Sequence, residues 1–317
     1  MANKVDVQFN LRVPSELKEK IELVARNNNR STNAETISRL YNSFSLSQGK
    51  LQEGMQVFEE LLLSKEPTAR RKIVHERLCQ CLKQINVAGF DIKPDRMAKA
   101  IGEEYAEPME RVFNGLQEPS FMQLEKIAKY LNINSDWLLF GEKSMFDVDY
   151  IRLSRSAKTS TAWLLNQDAN PDEASDELGY IKQKKLSSLY FIRNDGEFGE
   201  LLIVKRYEDW YCTLFTTPYE ISESIGASGE ADLVGLFSAW KLLYQTDNDV
   251  SIQSYILNQE NFNALASGAE HPLSILKKYR AKPWWEDIWD IKNYKAKEYW
   301  SGWSSLCERI NRIVSSK

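Results

Sequence analysis

Residues Val5 to Val13 alternate strictly, with Val7, Phe9, Leu11 and Val13 on one face and Gln8, Asn10 and Arg12 on the other. A period of two predicts a short strand with one apolar and one polar face. Pro14 suits the first turn of a helix, and Leu17, Ile21 and Val24 then recur at helical spacing as far as Arg26. Asn27-Asn28-Asn29 interrupts the pattern with residues that tolerate left-handed backbone angles. Ser31 caps a second predicted helix, which holds Glu35 in its first turns and Ile37, Leu40, Tyr41 and Phe44 as its apolar stripe.

Further along, Leu51, Met55, Phe58 and Leu62 predict a linking helix from about Lys50 to Ser64, ended by Lys65-Glu66-Pro67. Arg70 to Glu142 reads as five helices, closed by Gly102, Asn114-Gly115 and Gly141 where each pattern breaks. Lys143 to Leu178 is polar and broken at Asn170-Pro171, which predicts a linker with a short helix near Trp163. Leu186 to Pro218 predicts an antiparallel meander with turns at Asn194-Asp195-Gly196 and near Glu208-Asp209. Leu233–Tyr244 and Ser251–Leu257 fit a helix or strands, and Pro272 onward is helical. The expected architecture is therefore a mainly α N-terminal half with an α+β C-terminal domain containing the meander. Its divisions fall at residues 1–46, 47–69, 70–142, 143–179 and 180–317.

One strand and two helices in about 40 residues bury too little apolar surface to stand alone. A second copy must complete the core. Pairing the two strands antiparallel satisfies their edges and gathers both copies of Gln8, Asn10 and Arg12 on one side of a ribbon. A two-stranded ribbon fits the major groove of B-DNA, where arginine pairs bidentately with guanine and glutamine or asparagine with adenine.

Gln8-Phe9-Asn10-Leu11-Arg12-Val13-Pro14, then Asn29-Arg30-Ser31-Thr32-Asn33-Ala34-Glu35, then Arg39 and Phe44, resembles the phage Arc repressor family over about 40 residues. The resemblance implies a ribbon-helix-helix fold in which Gln8, Asn10 and Arg12 read bases. It also implies that Ser31, Thr32 and Asn33, at the start of the second helix, hold a phosphate. Free N–H groups and the helix dipole favour an anion at such a place in any case. Arg30, Glu35 and Arg39 stand where that family has a buried Arg-Glu-Arg ion triad. Val13 departs from the pattern, since an aromatic is found there in the phage protein.

Met97-Ala98, Ile101-Gly102, Asn114-Gly115, Pro119-Ser120, Leu124, Ile127-Ala128 and the ending Asp136–Gly141 resemble the helix-turn-helix of the phage-repressor family over about 70 residues. That resemblance makes Lys93, Arg96, Arg111 and Asn114 a candidate second DNA reader. Glu103, Glu104, Glu107 and Glu110 stand where family members carry Ser, Thr or Gln, and one extra residue follows Gly102. Carboxylates facing phosphates weaken binding. DNA contact and a role in dimerisation or in holding another protein both remain open for this segment.

Charge and composition narrow the classes. With 43% hydrophobic and 27% charged residues among 317, the chain is an ordinary globular protein of two or three domains. Its net charge of −4 argues against coating DNA by charge alone, yet residues 1–46 carry seven basic against five acidic side chains. No apolar run spans a bilayer and no signal core opens the sequence, which places the chain in the cytoplasm.

The four cysteines lack metal-site spacing and are expected to be reduced thiols. His75 and His271 are far apart in the sequence, there is no Gly-Asp-Ser-Met nucleophile motif, and no phosphate-binding Gly-rich loop occurs. Neither catalysis nor a cofactor is expected. Trp284, Trp285, Trp289, Trp300 and Trp303 crowd 20 residues and suit a core, a ligand pocket or a partner surface.

The sequence thus points to a phage or mobile-element type repressor that binds double-stranded DNA as a dimer or higher homo-oligomer, with the C-terminal domain sensing an inducer or assembling. The alternative is an antitoxin-like or adaptor protein that binds a partner through the helix-turn-helix and C-terminal domains and autoregulates through the ribbon.

Overall fold

The computed structural model describes residues 12–43, 69–167 and 185–315. The chain divides into two compact units, residues 1–68 and 69–317. The predicted strand over Val5–Val13, apart from its last two residues, and the predicted linking helix lie outside the described residues.

In the first unit, α1 (Ser15–Asn27) follows Pro14, whose carbonyl accepts from the Leu17 and Lys18 N–H groups, each at 3.1 Å. Asn29 has φ 51, the left-handed angle that ends α1 and turns the chain into α2 (32–43). Ser31 caps α2 by accepting from the Ala34 N–H at 3.2 Å.

The second unit opens with five helices: α3 (Ala69–Val87), α4 (Pro94–Ala100), α5 (Glu107–Phe113), α6 (Phe121–Leu131) and α7 (Ser135–Phe140). The stripe Val74, Leu78, Cys81 and Ile85 of α3 packs on Met97, Met109, Leu124 and Ile127. Side-chain caps fix the later helix starts. Ser120 accepts from the Gln123 N–H, and Asn134 accepts from those of Asp136 and Trp137. Gly141 ends α7 at φ 77, and a Cβ there would lie 2.2 Å from the Arg77 guanidinium.

A five-stranded sheet follows in the order β1-β4-β3-β2-β5, with β1 (Val148–Tyr150), β2 (Ser188–Asn194), β3 (Glu200–Arg206), β4 (Cys212–Glu220) and β5 (Ser251–Leu257). The meander expected over Leu186–Pro218 describes only the three inner strands. β1 pairs parallel to β4, and β5 pairs parallel to β2. Tight turns join β2 to β3 and β3 to β4, and tight turns force antiparallel neighbours. Between β4 and β5 the chain instead crosses the sheet as the 19-residue helix α9 (Ala227–Gln245), and it returns in the same direction as β2. The stretch read as a linker contributes β1 to this sheet, and α8 (Ala157–Leu164) carries Trp163.

Every residue of β2 is buried, because helices cover both faces. On one side Leu189, Phe191, Leu201 and Ile203 meet α8, α9, α12 (Trp284–Asp287) and α14 (Trp303–Ser315). On the other, Tyr190, Ile192, Leu202 and Val204 meet α10 (Gln259–Ala266) and α11 (Pro272–Leu276). A short α13 (Ile291–Ala296) leads towards α14. The tryptophans are core: Trp284, Trp285 and Trp303 are buried, while Trp289 and Trp300 pack against them. Edge-to-face pairs, such as Trp300 with Trp303 at 4.7 Å between ring centres, satisfy the ring quadrupoles.

Two cations are buried within this sheet. The Arg193 guanidinium donates to the Ile221 and Asn194 carbonyls at 3.0 and 2.5 Å and lies over the Trp300 ring, while burial lowers its pKa to about 10. Lys205 donates to the Trp163 carbonyl and to Asn166 Oδ1 at 2.5 and 2.7 Å. Arg193 holds the segment after β4 at Ile221, and Lys205 holds the end of α8 and Asn166, against the sheet, a structural use of charge. Among the described residues no helix is long and apolar enough to cross a membrane.

Candidate nucleic-acid interface

Few of the residues 12–43 are shielded by their own fold. Only Ala25 and Glu35 are buried among them, and Leu23 and Tyr41 are 61% and 68% exposed. Val13, Leu17, Ile21 and Val24 face Leu40 across an open groove of about 530 Å³. The α1 stripe Leu17, Ile21 and Val24 read from the sequence does line this groove. Of the α2 stripe only Leu40 does, Ile37 and Tyr41 being exposed elsewhere and Phe44 lying outside the described residues. No second layer within these residues covers the groove. Half-covered side chains of this size forgo roughly 1 kcal/mol each relative to full burial.

Glu35 organises the polar side of the helix pair. Its carboxylate accepts from Asn28 Nδ2 at 3.2 Å and from Arg39 Nε at 3.0 Å. The Asn28 bond, then the Arg39 bond and charge, hold its pKa below the ordinary carboxylate value. Arg30, read as the third member of an ion triad, instead donates to Ser38 Oγ at 3.4 Å and acts on Glu35 only through space. Asn28 takes the second donor position. Sequence reasoning treated Asn28 only as a helix break; its place seven residues before the single acidic residue of α2 was the available signal.

Ser31, Thr32 and Asn33 are exposed at the start of α2. Ser31 Oγ accepts from the third residue of the helix, and the N–H groups of the first turn have no acceptor within a helix. Arg12 is exposed in the short segment without regular structure that enters Pro14, while Gln8 and Asn10 lie outside the described residues.

In the second unit Lys93, Arg96, Arg111 and Asn114 are all exposed on or beside α4 and α5. Two of the cations already have acidic neighbours, Lys93 with Asp91 at 3.4 Å and Arg111 with Glu107 at 3.9 Å. Glu104, Glu107 and Glu110 are exposed on the same stretch, and Glu103 accepts from Gln123 Nε2 at 3.4 Å. Among the described residues no group of three or more His, Cys, Asp or Glu side chains is placed to hold a metal.

Two helices joined at a left-handed asparagine and an uncovered apolar groove between them fit the helical part of a ribbon-helix-helix module. The family described as Arc-like DNA binding domain matches residues 3–53, so the chain carries an Arc-like DNA-binding domain there. No curated protein and no solved structure matches the chain.

Proposed function

We propose that the protein is a sequence-specific transcriptional regulator, a repressor of phage or mobile-element type, that binds operator DNA as a homodimer through residues 3–53. The Arc-like match carries this reading, and the uncovered groove between α1 and α2 supports the dimer. In it Gln8, Asn10 and Arg12 read base edges from a two-stranded ribbon, each bidentate contact giving ~1–3 kcal/mol of discrimination. Ser31, Thr32 and Asn33 seat a backbone phosphate at the start of α2. Glu35, held by Asn28 and Arg39, fixes α2 relative to the turn before it.

A second reading concerns the helical part of the second unit. Its helix order fits a phage-repressor helix-turn-helix, but Glu104, Glu107 and Glu110 oppose a phosphate approach there. This favours a protein-contacting role over DNA reading by Lys93, Arg96, Arg111 and Asn114, and it keeps the adaptor alternative in play for the intact chain. Footprinting the full-length chain on its own upstream region tests the first reading. Replacing Gln8, Asn10 and Arg12 together by alanine should abolish the footprint while sedimentation still gives a dimer. An unchanged footprint refutes the assignment. A neighbouring short toxin gene, with complex formation between the two products, would favour the adaptor reading.

A further inference from the structure

Phe121 at the start of α6 and Phe140 at the end of α7 are 56% and 54% exposed, with ring centres 6.4 Å apart. Met122, next to Phe121, is 68% exposed. Arg70, in the first turn of α3, lies 4.5 Å above the Phe121 ring and pairs with Glu118 at 3.2 Å. Aromatic side chains bury ~150–250 Å² each, so Phe121 and Phe140, each a little over half exposed, leave roughly 200 Å² of apolar surface side by side. Arg70 and Glu118 stand at the edge of that surface, with Arg77 near enough to Arg70 for their charges to interact.

We infer that this surface meets the same surface of a second copy of the chain, forming a two-fold contact separate from the groove between α1 and α2. The inference rests on the dimer proposed for residues 3–53. Three observations select a second copy as the occupant. The first is size: a stable, freely formed dimer buries ~800 Å² on each partner, about four times what this surface offers, so it suits a partner that is already held nearby.

The second is position. Arg70 stands one residue into the second unit, and about 25 residues separate α2 from α3. Such a length reaches at most ~90 Å, so two copies joined at the first unit meet here at an effective concentration on the order of millimolar. The third is charge. A surface edged by Arg70 and Glu118 is self-complementary across a two-fold axis, where each arginine can turn to the second copy's Glu118.

The test is photo-crosslinking of the full-length chain with a benzophenone-bearing phenylalanine in place of Phe140, and separately of Met122, using co-refolded isotopically heavy and light chains. Crosslinked heavy–light peptides should join position 140 to residues 116–122 of the other copy. Their yield should stay constant over a roughly hundredfold range of chain concentration. Phe121→Asp, checked by circular dichroism for an unchanged fold, should reduce them to the unirradiated background. Crosslinks confined to one chain, crosslinks to added operator DNA, or none at all, in a chain that sediments as a dimer, overturn the contact and leave the DNA-binding dimer standing. A chain that sediments as a monomer overturns the dimer reading and this inference with it.

Discussion

His271 joins the helical and sheet parts of the second unit, and it does so as a neutral ring. It is 2% exposed, its Nε2–H donates to the Trp210 carbonyl at 2.9 Å, and its Nδ1 accepts from the Leu273 N–H at 3.2 Å to cap α11. Its own N–H donates to Gln84 Oε1 of α3 at 2.6 Å. Burial lowers the imidazole pKa from 6.5 to about 4. The depressed value means that the unfolded chain binds a proton more readily than the folded one. Stability is therefore full above pH 6.5 and is lost as pH falls towards 4. With 1.36 kcal/mol per unit, a shift of this size is worth about 3 kcal/mol in full and about 2 kcal/mol between pH 7.5 and 5.

His271→Asn isolates that contribution. Asparagine is a good cap and does not titrate, but it withdraws the donor to Trp210, a loss of ~1–3 kcal/mol at any pH. Urea unfolding followed by tryptophan fluorescence reads the second unit alone, since all nine tryptophans follow residue 69. The variant should be less stable than the parent at pH 7.5, and the gap should close by about 2 kcal/mol at pH 5. An equal gap at both pH values would show that His271 is not held neutral by its surroundings.

Ser31→Ala should cost ~1 kcal/mol of stability in the first unit through the lost cap, read by thermal unfolding of a fragment-specific probe in the full chain. Ser31→Asp should keep the cap yet, if α2 seats a phosphate as proposed, weaken operator binding at least ~10-fold in a gel-shift titration, because a carboxylate there would repel it. Leu17→Asp with Leu40→Asp should shift sedimentation from dimer to monomer; a retained dimer would remove the groove from the interface. Gly141→Ala should destabilise the second unit by more than ~1 kcal/mol, since φ 77 and the nearby Arg77 both oppose a Cβ. Glu35→Gln should lower the melting temperature of the first unit at pH 7, and the deficit should shrink as pH falls through the lowered range in which the parent carboxylate takes up its proton.

The parts of the fold set by local chemistry were legible in the sequence. The stripe Leu17-Ile21-Val24, the cap at Ser31 and the left-handed turn at the end of Asn27-Asn28-Asn29 all follow from residue type and spacing. The parts set by the path of the chain were not. Leu233–Tyr244 could not be assigned because α9 is buried on most sides, from Leu233 through Phe237 and Trp240 to Leu243, which erases the period of an amphipathic helix. The parallel pairing of β5 with β2 depends on that crossover and leaves no mark in either strand. β1 is three residues long, too short for alternation to register. In the interface, the replacement of Arg30 by Asn28 as a Glu35 donor depends on which side chain the turn aims inward.

The charge on α5 bears on how the two units share the work. If the helical part of the second unit approached DNA, Glu104, Glu107 and Glu110 would each oppose the release of counterions that drives binding. Replacing all three by glutamine would then raise operator affinity and steepen its dependence on salt. If that face instead looks away from DNA, the same triple change should leave both affinity and salt slope as they are, while Arg12→Ala flattens the slope by about one counterion only if it also touches phosphate. Measuring both variants across a range of salt separates a reader from a bystander without a structure of the complex. The local pairing of Arg111 with Glu107 and of Lys93 with Asp91 favours the second outcome, because those cations are already balanced before any phosphate arrives.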